Sequence, residues 1–160
     1  MAVNPNTDFS AGAVLTASQQ NRFPRGILGY SSLTTQFNTA ATHTTYQDTG
    51  SSASISYAAN RMIAIYYSTH GIPIGGVQGI NYKLMRGSTV IKYFETPSTF
   101  YPNTANAVTF TLSALIVGPA TAGTETFKMQ VAAASNNTQV IDYGSANLPR
   151  YFWVVDLGPA

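Results

Sequence analysis

The sequence predicts an all-β domain, an antiparallel β-sandwich or jelly roll of about eight to nine strands, preceded by a short N-terminal arm. Three observations predict it. Short apolar runs recur along the chain, with Gly, Pro, Asn or Ser turn signals every ~8–15 residues. Several of these runs alternate apolar and polar residues with the period of two of a half-buried strand. No helical period appears after residue 25, so the helices that a parallel α/β sheet needs between its strands have no sequence to come from.

The arm comes first. Residues 1–25 read as a unit distinct from the sandwich at 26–160. Ala2–Phe9 is polar and looks extended. Thr16-Ala17-Ser18-Gln19 fits a capping box, with Thr16 as N-cap and Gln19 at N3. Pro24 ends that helix, leaving Ala17–Phe23. About two turns cannot hold themselves together in water, so the helix needs a surface to pack on. Phe9, Val14, Leu15 and Phe23 are its apolar anchors, with Arg25 beside them, and these five are the candidate capsid or subunit interface.

The strands follow in order. Gly26–Thr35 is the first, and Gln36–Tyr46 is Thr-rich, an edge strand or an extended loop. Ser52–Ala58 alternates, with Ala53, Ile55 and Tyr57 on one face. Arg61–His70 is more continuously apolar. Gly71–Gly79, with Pro73, reads as a loop. Gly79–Arg86 and Thr89–Glu95 are joined by Gly87-Ser88, a tight-hairpin signal. Pro97–Asn106 is a loop. Ala107–Val117, Gly123–Ala133, Thr138–Tyr143 and Leu148–Leu157 complete the set, the last strand tucked into the sheet and Gly158-Pro159 ending the chain at its edge.

Composition narrows the function. The chain has 160 residues, enough for one domain with a real core. Charged residues are only 9%, against roughly 25% in an ordinary soluble domain. In their place stand 20 Thr, 14 Ser, 11 Asn and 7 Gln, which predicts outer strand faces of hydroxyls rather than Lys and Glu. The net charge is +2, with the basic residues scattered. Nucleic-acid binding uses a dense basic patch, and none is visible. There is no cysteine, so disulfides, thiolate zinc sites and cysteine nucleophiles are excluded. Met1–Gly12 has neither a basic n-region nor an apolar h-region, so no secretory signal is expected. The apolar runs fall far short of the ~20 residues of a membrane helix, and no membrane partner is expected.

Catalytic and metal constellations are thin. His43 and His70 lie on different segments and read as exposed loop-end residues; a metal site uses three or four suitably spaced ligands. No G-x-S-x-G elbow accompanies the serines. Paired carboxylates for glycoside cleavage could come only from six acids. Glu95 and Glu125 are the pair by which a polysaccharide hydrolase, the weakest reading, would be tested. Asp156 is expected to pair with a basic residue near the chain end and the other acids to be solvated. The glycines of Gly71–Gly79 match no phosphate-binding fingerprint. No catalytic residue and no cofactor is expected.

Aromatic residues are 12% and come in neighbours: Tyr66-Tyr67, Tyr93-Phe94, Phe100-Tyr101 and Tyr151-Phe152-Trp153. Adjacent residues in a strand face opposite ways, so one of each pair meets a second layer, solvent or a partner. With so few charges, a subunit interface is one expected destination.

Three segments carry a family resemblance. They are Phe9–Asn21 (F-x-x-G-x-x-L-T-A-x-Q-x-N), Pro24–Tyr30 (PRGILGY), and the pair Thr121–Gln130 (TAGTETFKMQ) with Trp153–Pro159 (WVVDLGP). The chain resembles small structural proteins of tailed bacteriophages, which combine a virion-anchoring arm with a jelly-roll head similar to the trimeric TNF/C1q type. The resemblance implies a non-enzymatic virion component assembled in the bacterial cytoplasm. The forms it implies are a head decoration or cement protein, a head fibre or a small tail-tip component, the first of them expected as a homotrimer held on the major capsid protein by the arm. A tail fibre or spike component is the alternative. It would bind a host glycan through loops Gly71–Gly79 and Pro97–Asn106, with Phe100 and Tyr101 as ligand residues.

Overall fold

The structure, a computed structural model, describes residues 14, 23–39, 45–74, 79–95, 108–134 and 139–160. Within them lie ten strands: β1 (Gly26–Leu33), β2 (Phe37–Asn38), β3 (Gln47–Tyr57), β4 (Arg61–Ile74), β5 (Ile80–Arg86), β6 (Thr89–Glu95), β7 (Val108–Val117), β8 (Gly123–Ala133), β9 (Gln139–Tyr143) and β10 (Arg150–Pro159). The described residues contain no helix.

The chain runs as one antiparallel ribbon folded back at Gly87-Ser88. Gly87 has φ +57°, which a glycine adopts without steric cost, and its N–H donates to the Thr126 carbonyl at 2.8 Å. From that turn the pairing is nested. β5 pairs β6, β4 pairs β7, β3 pairs β8, β2 pairs β9 and β1 pairs β10. The ribbon then curls so that β10 and β9 also lie along β4, and β8 along β5. Two layers result. Sheet A runs β1-β10-β4-β7, with β2 and β9 prolonging β1 and β10 at one end; sheet B runs β3-β8-β5-β6. This nested winding into two facing sheets is a jelly-roll sandwich.

The inward residues explain the layers. Ala53, Ile55 and Tyr57 of β3 are buried, as the alternation predicts, together with Ile63, Ile65 and Tyr67 of β4. Phe127, Met129 and Val131 of β8 and Phe152 and Val154 of β10 close the core. At ~25 cal/mol per Å2 of apolar surface, this shared core holds the two sheets together. β1 crosses very close to β3: a Cβ placed on Gly29 would stand 2.6 Å from Ile55 Cγ2 and 3.0 Å from Ala53 Cβ.

Two buried ion pairs fasten the ends. Sheet A is interrupted between β1 and β2 and between β9 and β10, and Arg150 fills the gap. Its Nη1 donates to Asp142 at 2.6 Å and to the Thr49 carbonyl at 2.9 Å, and its Nη2 to the Thr35 carbonyl at 2.9 Å. Asp142 also accepts from the hydroxyls of Tyr67, Thr69 and Tyr82. Burial, followed by the Asp142 carboxylate, pushes the Tyr67 hydroxyl pKa well above its ordinary value. At the other end, Arg61 grips Asp156 with Nε and Nη2 (2.9 and 2.8 Å) and donates to the Phe23 carbonyl. Asp156 accepts in turn from the Gly158 N–H at 2.8 Å.

Several expectations need correction. The segment expected to be a loop from Gly71 begins as strand, because β4 continues to Ile74 through Pro73. Past Gly71 its described partner is β9 alone, and such one-sided strand is where proline fits. Gly158-Pro159 does not stop β10. A bulge after Asp156 brings Gly158 and Pro159 opposite Met62 and Arg61. Of Gln36–Tyr46, read as an edge strand or an extended loop, the described residues hold the two-residue strand β2, and 40–44 lie outside the described residues. Asp156 pairs with Arg61, far from it in sequence, and Asp142 is fully buried rather than solvated. His70 sits within β4, not at a loop end. The helix expected at Ala17–Phe23 falls on residues of which only Phe23 is described, and His43 lies outside the described residues.

Candidate assembly surface

An antiparallel sheet at a protein surface usually shows water a polar outer face. Sheet B does so; sheet A does not. The register of β1, β10, β4 and β7 places outward residues in transverse rows. One row is Ile27, Val155, Ala64 and Leu115. The next is Tyr30, Trp153, Tyr66 and Ser113, and the third is Ser32, Tyr151, Ser68 and Thr111. Met62, Val117 and Leu157 extend the first row toward the end that carries Phe23. Ile27 is 66% exposed, Leu115 62% and Tyr30 56%. None of these described outward positions is Asp, Glu, Lys or Arg.

The middle of this face is an aromatic cluster. Trp153 stacks on Tyr66 with centroids 5.6 Å apart, Tyr151 meets Trp153 edge-on at 6.4 Å, and Tyr30 lies 6.2 Å from Tyr151. Packed rings give up little conformational freedom when a partner covers them, and such offset or edge contacts hold them in place. His70 stands at the margin, its Nδ1 2.6 Å from Thr109 Oγ1. Contiguous apolar patches on soluble proteins commonly belong to interaction surfaces, which makes this face the candidate.

Its size is apt. Four strands at ~4.8 Å spacing and a strand length of ten residues at ~3.4 Å rise make a plane of roughly 650 Å2. A stable interface buries about 800 Å2 per partner. Any partner face must also be uncharged, because a charge pressed against this one would lose its water without gaining a counter-charge.

The two ends of the sandwich differ. Phe23 to Gly26, the β3–β4 turn at Asn60 and the C-terminus share one end. There the Ala160 N–H donates to the Asn60 carbonyl at 2.9 Å and Gly118 N–H to the Arg61 carbonyl at 2.7 Å. The strand ends at Ile74, Ile80, Glu95, Val108, Ala133 and Gln139 gather at the other. Phe23 and the described ends of the longer connections therefore stand at opposite ends of the sandwich.

The sequence-predicted residues are distributed accordingly. Val14 is exposed, Phe23 is 39% exposed at the arm end, and Arg25 is exposed beside it. Phe9, Leu15, Phe100 and Tyr101 lie outside the described residues. Glu95 and Glu125 are not neighbours. Glu95 pairs with Asn81 and Glu125 lies 3.6 Å from Arg86. Those partners are about 17 Å apart along β5, whereas glycoside cleavage uses carboxyls roughly 5–9.5 Å apart. The aromatic neighbours pointed to the outer face of sheet A: Tyr67 and Phe152 face inward and Tyr66, Tyr151 and Trp153 outward. Ile27, Leu115 and Val117 carried no such signal.

No protein-family model matches the chain, and no curated protein matches it. Among solved structures, a family 35 carbohydrate-binding module from an environmental isolate is similar at 19% identity. The match covers 86% of this chain and 96% of that one, with a TM-score of 0.32. VP2 in the subviral particle of infectious bursal disease virus is similar at 12% identity, over 86% of this chain and 38% of that one, with a TM-score of 0.42. At these values neither likeness bears on what this chain does.

Proposed function

We propose that this chain is a non-enzymatic structural protein of a phage virion, a capsid decoration protein that works as a homo-oligomer. The observation that carries the proposal is the charge-free, aromatic outer face of sheet A. A second copy supplies an equally uncharged surface, and self-association is the commonest way such a face is covered. The bacteriophage resemblance makes the assembly three-fold and makes the major capsid protein its partner. Residues 1–25 attach the assembly to the shell and leave the sandwich at the end that Arg61 and Asp156 fasten. The opposite end then points away from the shell.

The test is attachment to particles lacking the protein. Full-length chain is expected to bind such capsids at a fixed ratio. A variant without residues 1–22 should keep its fold and its oligomeric mass and lose binding. Undiminished binding by the shortened chain would overturn the arm's role. The tail-fibre alternative predicts a handful of copies per particle instead of hundreds.

A further inference from the structure

Sheet B turns its outer face the opposite way, and that face is polar. The half of it formed by β3 and β8 is rich in hydroxyls that pair with one another: Ser54 Oγ lies 2.6 Å from Thr126 Oγ1 and Ser56 Oγ 3.1 Å from Thr124 Oγ1. One transverse row differs. The register sets Asp48 beside Gln130, Gln130 beside Lys83, and Lys83 beside Tyr93, one residue from each of the four strands. Tyr46, just before β3, folds over this row. Its ring lies 6.0 Å from that of Tyr93, and Lys83 Nζ stands 4.4 Å from the Tyr46 centroid.

The row is held in position before anything binds. Asp48 accepts from Lys128 Nζ at 2.8 Å and from Gln130 Nε2 at 2.6 Å. Burial alone would raise the Asp48 pKa, but those two bonds together with the Lys128 and Lys83 charges outweigh it and hold it below the ordinary carboxylate range. Tyr93 packs beside Tyr46 and still leaves 56% of its surface in water, on β6 at the edge of the sheet.

We propose that this row binds a neutral oligosaccharide, one sugar ring lying on Tyr93 against the Tyr46 ring that caps Lys83, and its neighbours bonding to Gln130 and Asp48. The chemistry fits on three counts. An exposed ring beside fixed donors and acceptors matches a molecule that is apolar on one face and hydroxylated at its rim. The nearby charges cancel, Lys83 and Lys128 against Asp48 and Glu95, which disfavours nucleic acid and acidic polymers alike. Four strands span about 14 Å from first to last, a length suited to a short oligosaccharide rather than a single sugar. The site is independent of the assembly surface, since the two sheets face opposite ways and both can be occupied at once.

The test is an array of neutral and acidic oligosaccharides probed with the full-length chain. Retention of at least one neutral oligosaccharide is expected. Tyr93→Ala should weaken it by about tenfold or more, Tyr93→Trp should preserve it, and Ser56→Ala, on the same face but outside the row, should leave it unchanged. Tyr93→Ala must match the parent in melting temperature and oligomeric mass, which separates loss of the site from loss of fold or assembly. Retention of acidic oligosaccharides alone, no retention, or retention that Tyr93→Ala leaves intact would each overturn the proposal.

Discussion

Arg150 and Asp142 show how single residues decide this fold. Arg150 is 2% exposed and Asp142 fully buried, so each charge depends on the other. Removing one partner of a buried pair costs about 3–5 kcal/mol, because it strands the remaining charge, whereas replacing both by apolar residues can be close to neutral. Arg150→Met should therefore lower stability by about that amount in urea titration, and Asp142→Leu similarly. The double replacement should cost less than the sum of the two. Tyr67, Thr69 and Tyr82 also donate to Asp142, so the Asp142 side of the comparison includes three hydroxyls left without their acceptor. None of this was legible in the chain. Six acids and eight bases offer many pairings, and a carboxylate in a polar-looking stretch carries no mark of burial.

The elements were more readable. Ser52–Ala58 shows its buried face through alternation, and Gly87-Ser88 shows its hairpin through turn chemistry, because both signals are local. What escaped reading depends on distant partners. Pro73 lies in a strand because β9 runs beside it, and Gly158-Pro159 prolongs β10 because Asp156 holds a bulge there. Arg61–His70 is apolar on both faces, so its sequence could not say which side meets the core and which the exterior. Gly29 belongs at this scale as well. It lets β1 of one sheet pass close over β3 of the other. A methyl group there would have to displace Ile55 and Ala53, a strain of about 1–3 kcal/mol. Gly29→Ala should lower the urea midpoint accordingly. Gly26→Ala supplies a contrast, since a Cβ there meets nothing within 4 Å and its cost comes from φ +72° alone.

At the scale of the whole molecule, the two sheets divide the work. Both contribute an inner face to one core. Outside, sheet B is hydroxylated and carries Asp48, Lys83 and Lys128, while sheet A is uncharged and aromatic. A chain with so few charges has placed none at the described outward positions of one entire sheet, where ordinary solubility would call for some. The proposed self-association would cover that face with an equally uncharged one. The most direct measurement is the mass of the purified full-length chain in solution, by sedimentation velocity. The predicted result is an assembly about three times the 17.1 kDa chain mass, which Trp153→Glu converts to folded single chains. A parent protein that sediments as a single chain at concentrations well above micromolar would contradict it.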